Sequence, residues 1–199
     1  TKPVGYNGPS SDYPVVVGAP FTIDGTTYTP VDKLNFDEVG YAVAGSEGAG
    51  GITIAHKTLP LPSYAEVTSL DSGKTILVRV ERRGPMVSDR LVELSPGAAA
   101  QLGMGGTAKA PIRIRRVNPP EMERSMLRSG QPASPRMDTP PSLLTVLKRK
   151  LDPQLALPPV VVPVPDPTAS ASPAPIASPT PRPRLAPRGA PTPRATPTP

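Results

Sequence analysis

The chain has no cysteine, no tryptophan and a single histidine in 199 residues. Without cysteine no disulfide can staple the fold. One histidine with no thiolate leaves no usual zinc ligand set. No metal and no cofactor is expected. All seven aromatic residues fall at or before Tyr64. No run of about 18 apolar residues occurs, so no transmembrane helix is legible. The sequence opens at Thr1 without a signal peptide, which fits a processed export product or a trimmed chain.

What is abundant is proline, and it is unevenly spread. Of 32 prolines, 10 lie in residues 1–118 and 22 in residues 119–199. Residues 158–199 hold 15 prolines in 42 positions, mixed with Ala, Ser, Thr and Arg. Such a stretch buries too little apolar surface to offset the entropy of ordering it. If extended, at ~3.1 Å per residue, it would reach roughly 130 Å. The chain therefore reads as a flexible lead-in (1–13), one globular domain (14–118), a linker with short helices (119–157) and a disordered Pro/Ala/Arg-rich tail (158–199).

Charge divides the same way. Residues 1–118 carry 12 Lys+Arg against 11 Asp+Glu, and residues 119–199 carry 10 against 5. A near-neutral domain with a basic tail suits an anionic lipid or an acidic wall polymer. Nucleic acid is not expected, because no basic patch is interleaved with aromatics.

The domain reads as short strands. Phe21–Ile23 and Thr26–Tyr28 flank Asp24-Gly25, a pair suited to a type I′ hairpin turn. Tyr13–Val17, Val39–Val43, Ile52–Ala55, Tyr64–Leu70, Lys74–Val80, Leu91–Leu94 and Ile112–Val117 are further extended runs. In the clearest of them Ile76, Val78 and Val80 share one face. Ser95-Pro96 signals a helix start and Gly103 its end. Met122–Arg128 and Leu143–Leu151 are short helix candidates, the second with Leu143, Leu144, Leu147 and Leu151 on one face. Six to eight short strands with one short helix predict a small β-barrel.

Two segments carry more specific information. Ala55-His56-Lys57-Thr58-Leu59-Pro60-Leu61-Pro62 is followed about twenty residues later by Val78-Arg79-Val80-Glu81-Arg82-Arg83-Gly84-Pro85. With Ser63-Tyr64, Arg90–Ser95 and Ala98–Met104 in order after them, they resemble the rare lipoprotein A family of septal-ring lytic transglycosylases. The resemblance covers about residues 14–117. It implies a six-stranded double-psi β-barrel that acts on peptidoglycan glycan strands, in the periplasm or cell envelope of a Gram-negative bacterium. It is compatible with an outer-membrane lipid anchor upstream of Thr1, and with cell-division or envelope proteins as partners. In many members a tail like this one leads to a glycan-binding SPOR domain. Here the chain stops at Pro199, and the expectation is a protein without that module.

A lytic transglycosylase needs a group that protonates the glycosidic oxygen and then accepts a proton from the sugar's own 6-hydroxyl. The family's Asn-Asp-Arg-Gly-Pro places an Asp where this chain has Arg82. Arginine stays protonated above pH 12 and cannot be that group. The loop before His56 is short, and Glu47 is the stand-in for a supporting Glu of the family. Val39–Ala44 lacks the family's Trp.

The candidate catalytic residues are therefore His56 and Glu47. Lys57, Arg83 and Arg90 are candidate glycan contacts. Glu81 and Asp89 are further carboxylates, and Glu81 reaches the site only if a bulge turns it there. Each has a plainer alternative: a barrel-supporting His56, an ion-paired Arg83 in a turn set by Gly84-Pro85, and solvated carboxylates. Three functions are compatible with these residues: a wall-glycan binder with impaired or lost transglycosylase activity, an active enzyme using Glu47 or Glu81, or an envelope protein acting through its basic tail.

Overall fold

The computed structural model describes residues 8–48, 50–104 and 109–152. The Pro-rich tail predicted over 158–199 lies outside them. The chain divides into a unit over residues 1–158 and a second over 159–199. The strands and helices of the described residues belong to the first unit.

Eight strands form among the described residues, and six of them close a barrel. A hairpin of β1 (Phe21–Ile23) and β2 (Thr26–Tyr28) stands apart. Asp24 and Gly25 both take positive φ, +48° and +76°, as the two-residue turn requires. The barrel strands are β3 (Asp37–Ala44), β4 (Thr53–His56), β5 (Ser63–Ser69), β6 (Thr75–Arg82), β7 (Val92–Leu94) and β8 (Ala110–Val117). Their order around the barrel is β3-β7-β4-β6-β5-β8. Two neighbouring pairs, β3·β7 and β4·β6, run parallel, and the other four are antiparallel.

Alternation explains the interior. Ile112 and Ile114 of β8 are fully buried while Arg113 and Arg115 face out. Val67 registers with Ile76 on one side and Ile114 on the other, so these side chains meet inside. Ile54, Val80, Val92 and Leu94 complete the interior, each fully buried. The run at Tyr13–Val17 does not become a strand; Val16 alone bridges Leu61.

Helix α1 (Pro96–Leu102) begins and ends where its caps predict. Ser95 Oγ accepts from the Ala98 N–H at 3.2 Å, and Gly103 takes the left-handed conformation, φ +83°. Two more helices follow the barrel, α2 (Glu121–Arg128) and α3 (Pro141–Leu151). Leu127 of α2 joins the main hydrophobic core, a burial worth roughly 1.5–3 kcal/mol. On α3, Leu147 is buried and Leu143 is not. Lys148 pairs with Asp71 at 3.2 Å.

Within the segment read as a lead-in, Pro9–Asp12 forms a 3-10 turn that delivers Asp12 to the outer face of β5 and β6. There the carboxylate accepts from the Tyr64 hydroxyl at 2.8 Å, Arg79 at 3.1 Å and Arg128 of α2 at 2.8 Å. Burial and this carboxylate push the Tyr64 phenol up to about 12.

Candidate functional site

The site is built around β4, which lies between β6 and β7. Ala55 registers with Arg82 on one side and Glu93 on the other. The pairing of β4 with β6 slips by one residue after Ile54–Val80, so Glu81 sits in a bulge. Strict alternation from inward-facing Val80 would turn position 82 into the barrel. The bulge restores it to the outer face, beside Ala55 and Glu93.

Arg82 therefore meets carboxylates, not the interior. Its Nη1 donates to Glu47 Oε2 at 2.8 Å and to Glu93 Oε1 at 3.4 Å. Glu47 arrives from the loop after β3, and Glu93 from between the buried Val92 and Leu94. Gly45 permits this: a Cβ there would lie 2.3 Å from Glu93 Oε1. Arg82 Nε and Nη2, and Thr53 Oγ1 nearby, are buried with no hydrogen-bond partner among the described residues. A Cβ on Gly48 would come 2.6 Å from Thr53 Oγ1 and 3.6 Å from Arg82 Nη2. The missing side chain is what lets the Gly48 backbone pass this close to Thr53 and Arg82.

The bulge expected to bring Glu81 into the site is present, but it turns Glu81 to an ion pair with Arg79. Asp89 lies elsewhere, paired with Lys109 at 3.1 Å and Arg90 at 3.5 Å; these cations hold its carboxyl below the usual range.

His56, the last residue of β4, faces inward and is 1% exposed. Its Nδ1 accepts from the backbone N–H groups of Thr58 and Leu59, each at 3.1 Å. Its ring meets Phe36 edge-on, 5.0 Å between centroids. An Nδ1 that accepts two N–H bonds carries no proton, so the tautomer bears its hydrogen on Nε2. Burial, with Lys57 and Arg83 nearby, lowers the pKa to about 3. Near neutral pH the imidazole donates from Nε2 and exchanges no proton. That Nε2 is buried without a partner among the described residues.

Arg83 is occupied by the backbone. It donates to the carbonyls of Val17 at 2.8 Å, Lys57 at 2.9 Å and Leu59 at 2.7 Å. The ion pair expected of it in the Gly84-Pro85 turn is absent among the described residues, because carbonyl oxygens from two segments already fill its fork. It ties the His56–Leu59 turn to the chain before β1.

Beside this turn opens a groove of about 370 Å³, lined among others by Tyr28, Glu38, Tyr41, His56, Lys57 and Arg90. Lys57 is 4% exposed. Its Nζ donates to the Arg90 carbonyl oxygen and lies 5.0 Å from the Tyr28 ring centroid. Burial lowers its pKa.

Glu93 is the functional-site residue that sequence reasoning misses. It lies inside a strand whose neighbours are apolar, and nothing local marks it. Only the register of three strands shows that it shares a face with Arg82. Among the described residues no group of His, Asp and Glu is arranged to hold a metal.

The closed six-stranded barrel is of the double-psi class. Residues 50–114 match the family model described as "Lytic transglycolase". The barrel domain is similar to that of the rare lipoprotein A (RlpA) family. It is 40% identical over 114 residues to "Endolytic peptidoglycan transglycosylase RlpA" of Pseudomonas aeruginosa, a match covering 50% of this chain and 33% of that protein. It is 34% identical over 123 residues to the protein of the same name from Campylobacter jejuni, covering 54% of this chain and 44% of that one. The chain thus matches between a third and half of these relatives' lengths. A solved expansin from Clavibacter michiganensis aligns over 43% of this chain and 52% of its own at 18% identity, with a TM-score of 0.37, too remote to bear on the site.

Proposed function

We propose that the protein binds the glycan strands of peptidoglycan in the cell envelope, and that its transglycosylase activity is lost or strongly impaired. The carrying observation is Arg82. It stands at the position from which the reaction's acid would act, and it draws Glu47 and Glu93 into ion pairs. A permanent cation there neither donates nor regains a proton, and it opposes the positive charge that grows on the sugar. What remains is a polar surface of donors and acceptors suited to sugar hydroxyls. The relatives named for peptidoglycan cleavage support the substrate class.

A second reading keeps the enzyme. Glu47 and Glu93 both lie within hydrogen-bonding reach of Arg82, so a carboxylate borders the site from either side. The two readings separate on peptide-stripped glycan strands. The binder retains the strands and forms no 1,6-anhydro ends. The enzyme forms them, and a Glu47→Gln or Glu93→Gln change abolishes cleavage while binding persists.

A further inference from the structure

The groove beside His56 holds Lys57, whose charge is met by Asp89 and Asp24 only from beyond ion-pair distance. Lys57 is almost completely buried, yet no carboxylate lies within ion-pair distance of its Nζ among the described residues. Its Nζ meets a carbonyl oxygen and an aromatic ring instead. A buried ammonium whose counter-charges stand off is costly, and an anion brought into the groove would offset that cost.

The surroundings lean the same way. Arg90 Nε makes no hydrogen bond among the described residues, and its ion-pair contact, with Asp89 Oδ1, is a long one at 3.5 Å. Asp89, the nearest acidic neighbour, already faces Lys109 at 3.1 Å. His56 borders the same groove, with its Nε2 buried. Glu38 lines the groove as well, as an exposed residue. Lys57 and Arg90 thus share a groove of about 370 Å³ with Glu38 and Asp89, and Asp89 is already divided between Lys109 and Arg90.

We infer that Lys57 and Arg90 form a carboxylate subsite. It takes a carboxylate borne by the wall polymer, either the lactyl group of a peptide-free muramic acid or the free carboxylate of a stem peptide. This rests on the glycan-binding reading. The position suits it: Lys57 directly follows β4, two residues after Ala55, whose register partners are Arg82 and Glu93, so the subsite lies at the end of the strand that carries that surface. A glycan crossing that surface would place a ring substituent at Lys57.

The experiment measures binding of the full chain to three forms of glycan strand: peptide-free, peptide-free with the lactyl carboxyls reduced to alcohols, and peptide-bearing. Carboxyl reduction is expected to weaken binding at least tenfold, and Lys57→Met to weaken binding of intact strands by as much. Lys57→Met should then no longer distinguish reduced from intact strands. Tighter binding of peptide-bearing strands would identify the stem-peptide carboxylate as the source, and tighter binding of peptide-free strands the lactyl group. Equal affinity of the wild-type protein for intact and reduced strands overturns the subsite while leaving glycan binding in place. Binding to none of the three overturns the glycan reading itself. The carboxyl-reduction arm uses unaltered protein, so a variant that fails to fold does not weaken the test.

Discussion

Arg82 and Glu93 face each other across Ala55, with Nη1 3.4 Å from Oε1, although they come from strands on opposite sides of β4. Both side chains are largely shielded, whereas Glu47, Arg82's other partner, is 71% exposed. The more shielded pair should be the stronger one despite its longer distance. In urea denaturation, a double-mutant cycle of Arg82→Ala with Glu93→Ala should give a coupling of about 0.5–1 kcal/mol. The cycle with Glu47→Ala should give less than about 0.5 kcal/mol. A larger coupling to Glu47 would contradict this assignment of Arg82's main partner.

The single histidine supplies a pH prediction. His56 has a folded pKa of about 3 against an ordinary 6.5. Below pH 6.5 the unfolded chain takes up a proton that the folded chain refuses, so stability falls as pH drops. The contribution is complete above pH 6.5 and is lost progressively down to about pH 3, at roughly 1.4 kcal/mol per pH unit. Between pH 6.5 and 5 most carboxylates remain ionised, and the slope reports His56 alone. Urea midpoints across that interval should show this slope in the wild type and not in His56→Gln. Stability that is flat from pH 7 to pH 5 would show that His56 is not held neutral.

Gly40 lines the Lys57 groove where β3 passes Leu91. A Cβ on it would stand 2.8 Å from Leu91 Cβ. Gly40→Ala should therefore destabilise the barrel by about 1–3 kcal/mol, the usual cost of overpacking. Thermal denaturation checks it, and an unchanged midpoint would mean that β3 and the Leu91 strand separate freely.

Asp12 bonds the N-terminal turn to the barrel and to α2. Asp12→Ala leaves the Tyr64 hydroxyl without its acceptor and takes a carboxylate from beside Arg79 and Arg128. A loss of about 3 kcal/mol is expected in urea unfolding, the scale for removing one partner of a buried pair. A loss below about 1 kcal/mol would place Asp12 among ordinary surface ion pairs.

Much of the fold was legible in local patterns. The Asp24-Gly25 turn, the Ser95 and Gly103 caps of α1 and the alternation of β6 and β8 are each set by a few neighbouring residues. Tyr13–Val17 misled because β-branched residues extend the chain whether or not a partner strand is available. The site was legible only in part. Arg82 stood out by its place in a motif. The bulge at Glu81 and the approach of Glu93 depend on which strands lie side by side, and no local pattern records that. Arg83 read as an ion pair because its carbonyl partners come from two separate stretches of chain. Lys57 showed its charge in the sequence but not that its counter-charges stand beyond ion-pair distance.

The most direct measurement is the product of incubating the full chain with peptide-stripped glycan strands, scored for 1,6-anhydro ends alongside co-sedimentation of protein and strand. If Arg82 has replaced the acid, as proposed, the protein should sediment with the strands and leave anhydro ends at background. Abundant anhydro ends formed by the wild-type protein would contradict it.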